Sequence, residues 1–220
     1  MESLGPMQQK QAPEPVAQKP ARVRILDAAH ELMFTVGLAR ATTKEIAKAA
    51  GCSEAALYKY FASKEELFIS VLSERLPQLT PLLRSLAAEP GQHSLEDNLT
   101  EIARQAALFY EQSFPIAASL YAETQLKRRH DEALRQLGSG PHKPIEALDA
   151  YLRAEQTAGR VRRDVDTFAA ASLLLGACAQ RVFAYEATQT GVRPPVDEFA
   201  PRIARTLLGG ISVAEDPARP

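Results

Sequence analysis

The chain has 220 residues, a formal net charge of −1, 45% hydrophobic side chains and two cysteines. This is enough apolar material for one large or two small cores, and the balanced charge excludes a global basic field, so any nucleic-acid contact must come from a local patch. Two distant cysteines exclude a disulfide framework, and no apolar run approaches the ~20 residues of a membrane span; the expectation is a soluble, cytoplasmic chain with no membrane partner.

Residues 1–20 are rich in Gln and Pro, which predicts a disordered tail in which Lys10 and Lys19 are solvated. From Arg22 the pattern turns helical. Ile25, Ala28, Ala29, Leu32 and Met33 recur at spacings of three and four, Phe34 and Val36 extend the run, and Gly37 stops it.

The stretch from Thr42 to Lys64 reads as two short helices, a tight turn between them, and the start of a third. Thr42 and Glu45 have capping-box spacing, Ile46, Ala47 and Ala50 form the apolar stripe, and Gly51 supplies a left-handed exit. Ser53 caps a second helix carrying Ala56, Leu57 and Tyr60, and Ser63 with Glu66 repeats the capping box. Together these starts predict a helix-turn-helix. Ala47, Ala50 and Gly51 are small enough for the first two helices to cross closely, with Leu57 facing back into that contact. Glu54, Ala55, Ala56, Tyr58 and Lys59 then cover the outer side, short near the helix start and polar or aromatic beyond, as a helix entering a DNA major groove requires. Lys44, Lys59 and Lys64 supply local positive charge, and the helix starts at Thr42, Ser53 and Ser63 present backbone N–H groups suited to phosphate oxygens.

Ile-Ala-x-x-Ala-Gly, Ser-x-x-x-Leu-Tyr-x-Tyr-Phe and Ser-Lys-Glu-Glu-Leu resemble the TetR family of bacterial transcriptional repressors, without gaps from about Arg22 to Leu72. Cys52 stands where valine is usual, and Ala55-Ala56 where Gly-Thr is common, which removes a hydroxyl many relatives use on DNA. The resemblance implies phosphate contacts from Thr43, Tyr58, Tyr60 and Lys64 and base contacts from Lys44, Ala56 and Lys59. Glu54 either accepts from cytosine N4 or favours its own helix N-terminus through the dipole, and the second reading is preferred.

Lys64 to Leu76 predicts a longer connecting helix ended by Pro77, closing a DNA-binding domain over residues 21–76. Beyond it, residues 77–212 read as a helical effector-binding and dimerisation domain, and 213–220 as a loose tail. Leu79, Leu82, Leu83 and Leu86 suggest a helical stretch, and Ser94 caps the next helix, which is expected to run to about Phe114 and to restart at Pro115 through Leu126. Lys127-Arg128-Arg129-His130 is expected to be solvated. Residues 138–144 form a loop without phosphate-cradling spacing, followed by a helix from Ile145 closed by Gly159. Asp164 or Asp166 caps a helix from Phe168 that is apolar nearly all round, and the last helix covers Asp197 to Ile211.

Phe109, Tyr110, Phe114, Tyr121, Glu123, Leu148, Tyr151 and Leu152 concentrate the aromatic and apolar surface of this part. They are the candidate lining of a pocket for a largely hydrophobic, aromatic or cationic small molecule. The competing reading is a solid core, with Glu123 paired to a neighbouring Arg. The apolar faces of the last two helices exceed what one small domain covers, which implies a two-fold homodimer; the resemblance places a four-helix interface there. His30, His93, His130 and His142 are scattered, with no metal-binding spacing, and Cys52 reads as an inert packed thiol, so no catalytic residue, metal or cofactor is expected. The sequence thus predicts an all-α homodimer that represses transcription at a palindromic double-stranded operator and releases it on binding a small molecule. The alternative is a protein-interaction partner of the same fold with a vestigial DNA-binding domain.

Overall fold

The computed structural model describes residues 19–38, 40–77, 79–186 and 193–212. Of the expected tails, residues 1–18 of the N-terminal one, with Lys10, and all of residues 213–220 lie outside that set. Ten helices are found among the described residues: α1 (Ala21–Val36), α2 (Thr43–Ala49), α3 (Glu54–Leu57), α4 (Lys64–Glu74), α5 (Leu79–Ala88), α6 (Leu95–Ala122), α7 (Thr124–Gln136), α8 (Lys143–Thr157), α9 (Thr167–Glu186) and α10 (Val196–Ile211). The class is all-α; the extended pairing among described residues is a single bridge, Val161 to Ser212.

Local signals set most helix ends. The Thr42 side chain accepts from the Glu45 amide while Glu45 accepts from the Thr42 amide, a complete capping box. Gly51 takes the left-handed φ of 67° after α2. Ser63 accepts from the Glu66 amide at 3.0 Å, but the Glu66 carboxylate reaches past Ser63 to the Ala62 amide at 2.6 Å. Ser94 and Asp166 cap α6 and α9 through the amides of Asp97 and Ala169. Thr35 hydrogen-bonds its own helix at Glu31, and Phe34 and Val36 remain exposed, so α1 ends on a solvated turn.

Two clusters of buried side chains organise the packing. The first collects Ile25, Leu26, Ala29, Met33, Ile46, Ala47, Leu57, Phe61, Leu67, Phe68 and Val71 from α1 to α4, and it also takes Ile116 and Leu120 from α6. The second is built from α5, α6, α8, α9 and α10, with Leu99, Ile102, Leu148, Tyr151, Leu152, Leu174 and Leu175 almost wholly out of water. Each such Leu or Ile contributes about 1.5–3 kcal/mol relative to exposure. Ion pairs clamp α1 to α4: Arg22 forks onto Glu74 at 2.6 and 2.7 Å, and Arg75 meets Asp27 at 2.9 Å.

The sequence expectation fails at Pro115. No break occurs there: α6 continues to Ala122, with Pro115 inside it, and the chain turns only at Glu123. An interior proline removes one helical hydrogen bond and costs about 3 kcal/mol. The helix persists because the turns beyond Pro115 bury Ile116 at 0% exposure and Leu120 at 6% in the first cluster. α6 therefore runs through both cores. His130 also departs from expectation: it is buried beneath α4 rather than solvated, with its ring 4.8 Å from that of Phe68.

α9 corrects a third expectation. Thr167–Tyr185 is long and apolar enough, by length and composition alone, to cross a bilayer. Here it is a core helix on one side only, packed on α6, α8 and α10. Phe168, Leu173 and Phe183 on this helix are 51%, 69% and 62% exposed, although the Phe183 ring still meets Phe114 of α6 edge to face.

Candidate DNA-contacting face and interior cavity

The turn between α2 and α3 gathers most of the expected DNA-contacting residues on one solvent-facing surface. Lys44, Ser53, Glu54, Ala55, Tyr58, Lys59 and Tyr60 are exposed, and Thr43 and Ala56 half-buried, while Leu57 on the same short helix is fully buried. Small side chains at the crossing permit this geometry: Ala47 and Ala50 are buried between the helices, and Cys52, half-buried, packs against the same cluster. The Ser53 hydroxyl caps α3 by accepting from the Ala56 amide at 3.1 Å.

Three side chains on this face are already tied together. The Thr43 hydroxyl donates to Glu54 at 2.5 Å, and the Tyr58 hydroxyl lies 3.5 Å from Thr43. Glu54 thus bridges α3 to the start of α2, a role that neither reading of this residue from the sequence contained. Lys64 differs from a free phosphate contact as well. It is half-buried, its ammonium donates to the Leu38 carbonyl at 2.7 Å, and burial lowers its pKa. One of its three donors is therefore committed to holding the α1–α2 connection.

Between α4, α6, α7 and the loop leading into α8 lies a cavity of about 350 Å³. Of the candidate pocket residues, Phe109, Tyr110, Phe114 and Tyr121 line it. Leu148, Tyr151 and Leu152 do not. They are 0% exposed in the second core cluster, because α8 turns that face towards α5 and α9 rather than towards the cavity. The Tyr151 hydroxyl is satisfied there by Asn98 at 2.9 Å, and burial raises its pKa. Glu123 is likewise off the cavity: it lies exposed at the α6–α7 junction, on a groove shared with Tyr58, Lys64 and Arg129.

The cavity takes further residues that sequence reasoning missed. α4 contributes Phe68, Ile69 and Leu72, and α7 contributes Lys127, His130, Asp131 and Leu134. The α7 set has the i, i+3, i+4, i+7 spacing of one helix face, a signal hidden by the basic run in which it begins. Lys127 is paired to Asp131 at 2.5 Å and lies over the Tyr121 ring. Phe109 and Tyr110 meet edge to face, and burial pushes the Tyr110 phenol up to about 12. Cys178, buried in the second core, is likewise pushed up to about 12, which makes it inert as a nucleophile. No group of His, Cys, Asp and Glu side chains able to hold a metal ion occurs among the described residues.

Two family models match the chain. The model of bacterial regulatory proteins of the TetR family covers residues 25–71, and that of the AefR-like transcriptional repressor C-terminal domain covers residues 97–208. A fatty acid metabolism regulator protein of Bacillus subtilis is 22% identical over 172 residues, spanning 74% of this chain and 82% of that protein. Among solved structures, a TetR-family regulator from Mesorhizobium loti superposes with a TM-score of 0.65 at 19% identity, covering 90% of this chain and all of that one. The transcriptional regulator FadR from Bacillus subtilis, solved in complex with stearoyl-CoA, gives a TM-score of 0.63 at 19% identity over 86% of this chain and 98% of its own. At such identities the structural likeness is one of fold.

Proposed function

From the premise that this chain belongs to the TetR family of bacterial transcriptional regulators, and is not an enzyme, we propose that it is a ligand-responsive repressor. It binds a palindromic operator as a homodimer, in the cytoplasm, and leaves it when a small, largely apolar effector enters the cavity. The observation that carries this reading is the path of α6. Its middle lines the cavity through Phe109, Tyr110 and Phe114, and its end buries Ile116 and Leu120 in the core of the helix-turn-helix. An effector that favours one setting of α6 therefore biases the spacing of the DNA-contacting helices, and only such a difference in affinity between states shifts the equilibrium.

The effector class follows from the lining. Nine aromatic or large aliphatic side chains line the space, and both lysines on it are neutralised, Lys127 by Asp131 and Lys143 by Glu146. With Glu123 outside, no free carboxylate remains to favour a cation. The stearoyl-CoA of the similar Bacillus regulator, which carries a long apolar chain, supports an apolar effector here. The dimer is proposed through α9 and α10: the exposed Leu173 lines an apolar groove with Ala169, Ile203, Leu207 and Gly210, and Phe168 and Phe183 leave further apolar surface of α9 exposed. The division into a DNA-binding unit over residues 21–76 and an effector-binding unit over 77–212 belongs to the same proposal.

The test is a gel-shift titration on inverted repeats flanking the coding sequence, with half-sites about 34–36 Å apart or a multiple. Specific retardation relieved by an apolar small molecule is the expected result. Specific binding to no flanking repeat would remove the repressor reading and leave the protein-interaction alternative.

A further inference from the structure

His130 is 5% exposed, lines the cavity, and its Nδ1 atom has no hydrogen-bond partner. Other polar groups around it are matched: Lys127 with Asp131, and Lys143 with Glu146. An unmatched buried polar atom costs about 1–3 kcal/mol, so it is retained only where something compensates. Phe68, Leu72, Phe114 and Leu134 make the wall predominantly apolar, with hydroxyls from Ser73, Thr80, Ser113 and Ser139 also on the lining.

We propose that His130 Nδ1 is the polar anchor of the effector, and that the effector is an uncharged molecule presenting a hydroxyl or carbonyl oxygen to it from an apolar body. This rests on the reading of the cavity as the effector site. Burial lowers the pKa of the ring and keeps it neutral, so it offers one hydrogen bond at Nδ1 without a charge. A carboxylate would enter a space whose cations are already paired and would lose its hydration without a counter-ion. A neutral oxygen loses less and gains the hydrogen bond that the protein alone leaves unmade. The same ring packs on Phe68 of α4, 4.8 Å away, so the anchored group lies against the helix that joins the cavity to the DNA-contacting part.

Four probes of one shape separate the possibilities: 4-butylphenol, butyrophenone, 4-butylbenzoate and butylbenzene, titrated calorimetrically into the full chain. The phenol and the ketone are expected to bind about tenfold more tightly than butylbenzene. That margin should vanish in His130→Leu and persist in His130→Asn, whose amide places a polar atom near the position of Nδ1. In the wild type, the Nδ1 nitrogen resonance should move with 4-butylphenol and not with butylbenzene, which tests the anchor even if a variant fails to fold. An unchanged margin in His130→Leu, or a still resonance, overturns the anchor and leaves the cavity reading intact. Tightest binding by 4-butylbenzoate overturns the neutral class. Binding of none of the four to the wild type removes the anchor and the effector cavity together.

Discussion

Lys64 and Leu38 are joined by a hydrogen bond of 2.7 Å from the ammonium to the carbonyl, across the mouth of the helix-turn-helix. A lysine on the expected DNA face thereby also closes the α1–α2 connection. Lys64→Ala should then have two effects. It should weaken binding to all DNA sequences alike, lowering the salt slope by about 0.9, and it should lower stability by about 1 kcal/mol through the lost hydrogen bond. Lys59, exposed and with no side-chain hydrogen bond or ion pair among the described residues, provides the contrast. Lys59→Ala should leave the melting temperature unchanged and relax preference at a single operator position. A salt titration and a thermal melt on both variants check the pair of expectations.

Glu54 sets a limit on DNA affinity. Its carboxylate accepts from Thr43 beside Tyr58, two residues expected on phosphates. A negative charge next to the DNA backbone opposes binding, and it engages the Thr43 hydroxyl in the free protein. Glu54→Gln keeps a hydrogen-bond acceptor and removes the charge. Binding to unrelated duplexes should tighten roughly fivefold at low salt, the gain fading as salt rises. Unchanged affinity at low salt would mean that Glu54 stays clear of the backbone.

These two residues show what was legible in the sequence. The capping boxes, Gly51 and the small crossing residues are local signals, and they located the helix-turn-helix and its outer face. What Thr43, Glu54 and Lys64 do with their side chains depends on neighbours eleven or twenty-six positions away, which no local pattern encodes. The same holds for Pro115: a helix-breaking residue was outweighed by burial of Ile116 and Leu120 in a distant core. Phe109, Tyr110, Phe114 and Tyr121 lie together on the cavity because α6 bears them along one face. Leu148, Tyr151 and Leu152 were misplaced because apolar content identifies burial without saying whether a core or a cavity buries it.

Leu173 tests the dimer more cleanly than Leu207. At 69% exposure it makes little contribution to the fold of one subunit, whereas Leu207 is half-buried against the second core. Leu173→Glu should place an unpaired charge in the α9–α10 seam, dissociate the dimer in sedimentation and abolish specific operator binding while leaving helicity unchanged. A dimeric Leu173→Glu protein would move the interface elsewhere.

The seam is held in place by Arg181. Its guanidinium is 4% exposed, pairs with Glu111 of α6, donates to the Pro194 carbonyl at 2.6 Å and lies 5.4 Å from the Phe199 ring. Arg181→Met keeps the stem but strands Glu111, which retains only Arg193 at 3.5 Å, and frees the segment entering α10. Removing one partner of a buried pair costs about 3–5 kcal/mol; Glu111 is 27% exposed, so the lower end applies, about 3 kcal/mol in urea unfolding. Glu111→Gln should cost less, because the amide still accepts from Arg181.

His130 makes stability depend on pH in a calculable direction. Burial holds its pKa below the ordinary 6.5 and Lys127 acts in the same sense, outweighing Asp131 and Glu65, which favour the charged ring; on the α4 side it meets the Phe68 ring. The unfolded chain therefore takes up a proton at a higher pH than the folded chain. Stability from this residue is complete above 6.5 and is lost as pH falls from there towards the folded-state value. The wild-type melting temperature should accordingly drop between about pH 7 and pH 5, and His130→Leu should lose that part of the slope. Equal slopes for the wild type and His130→Leu would show that His130 is not the titrating group.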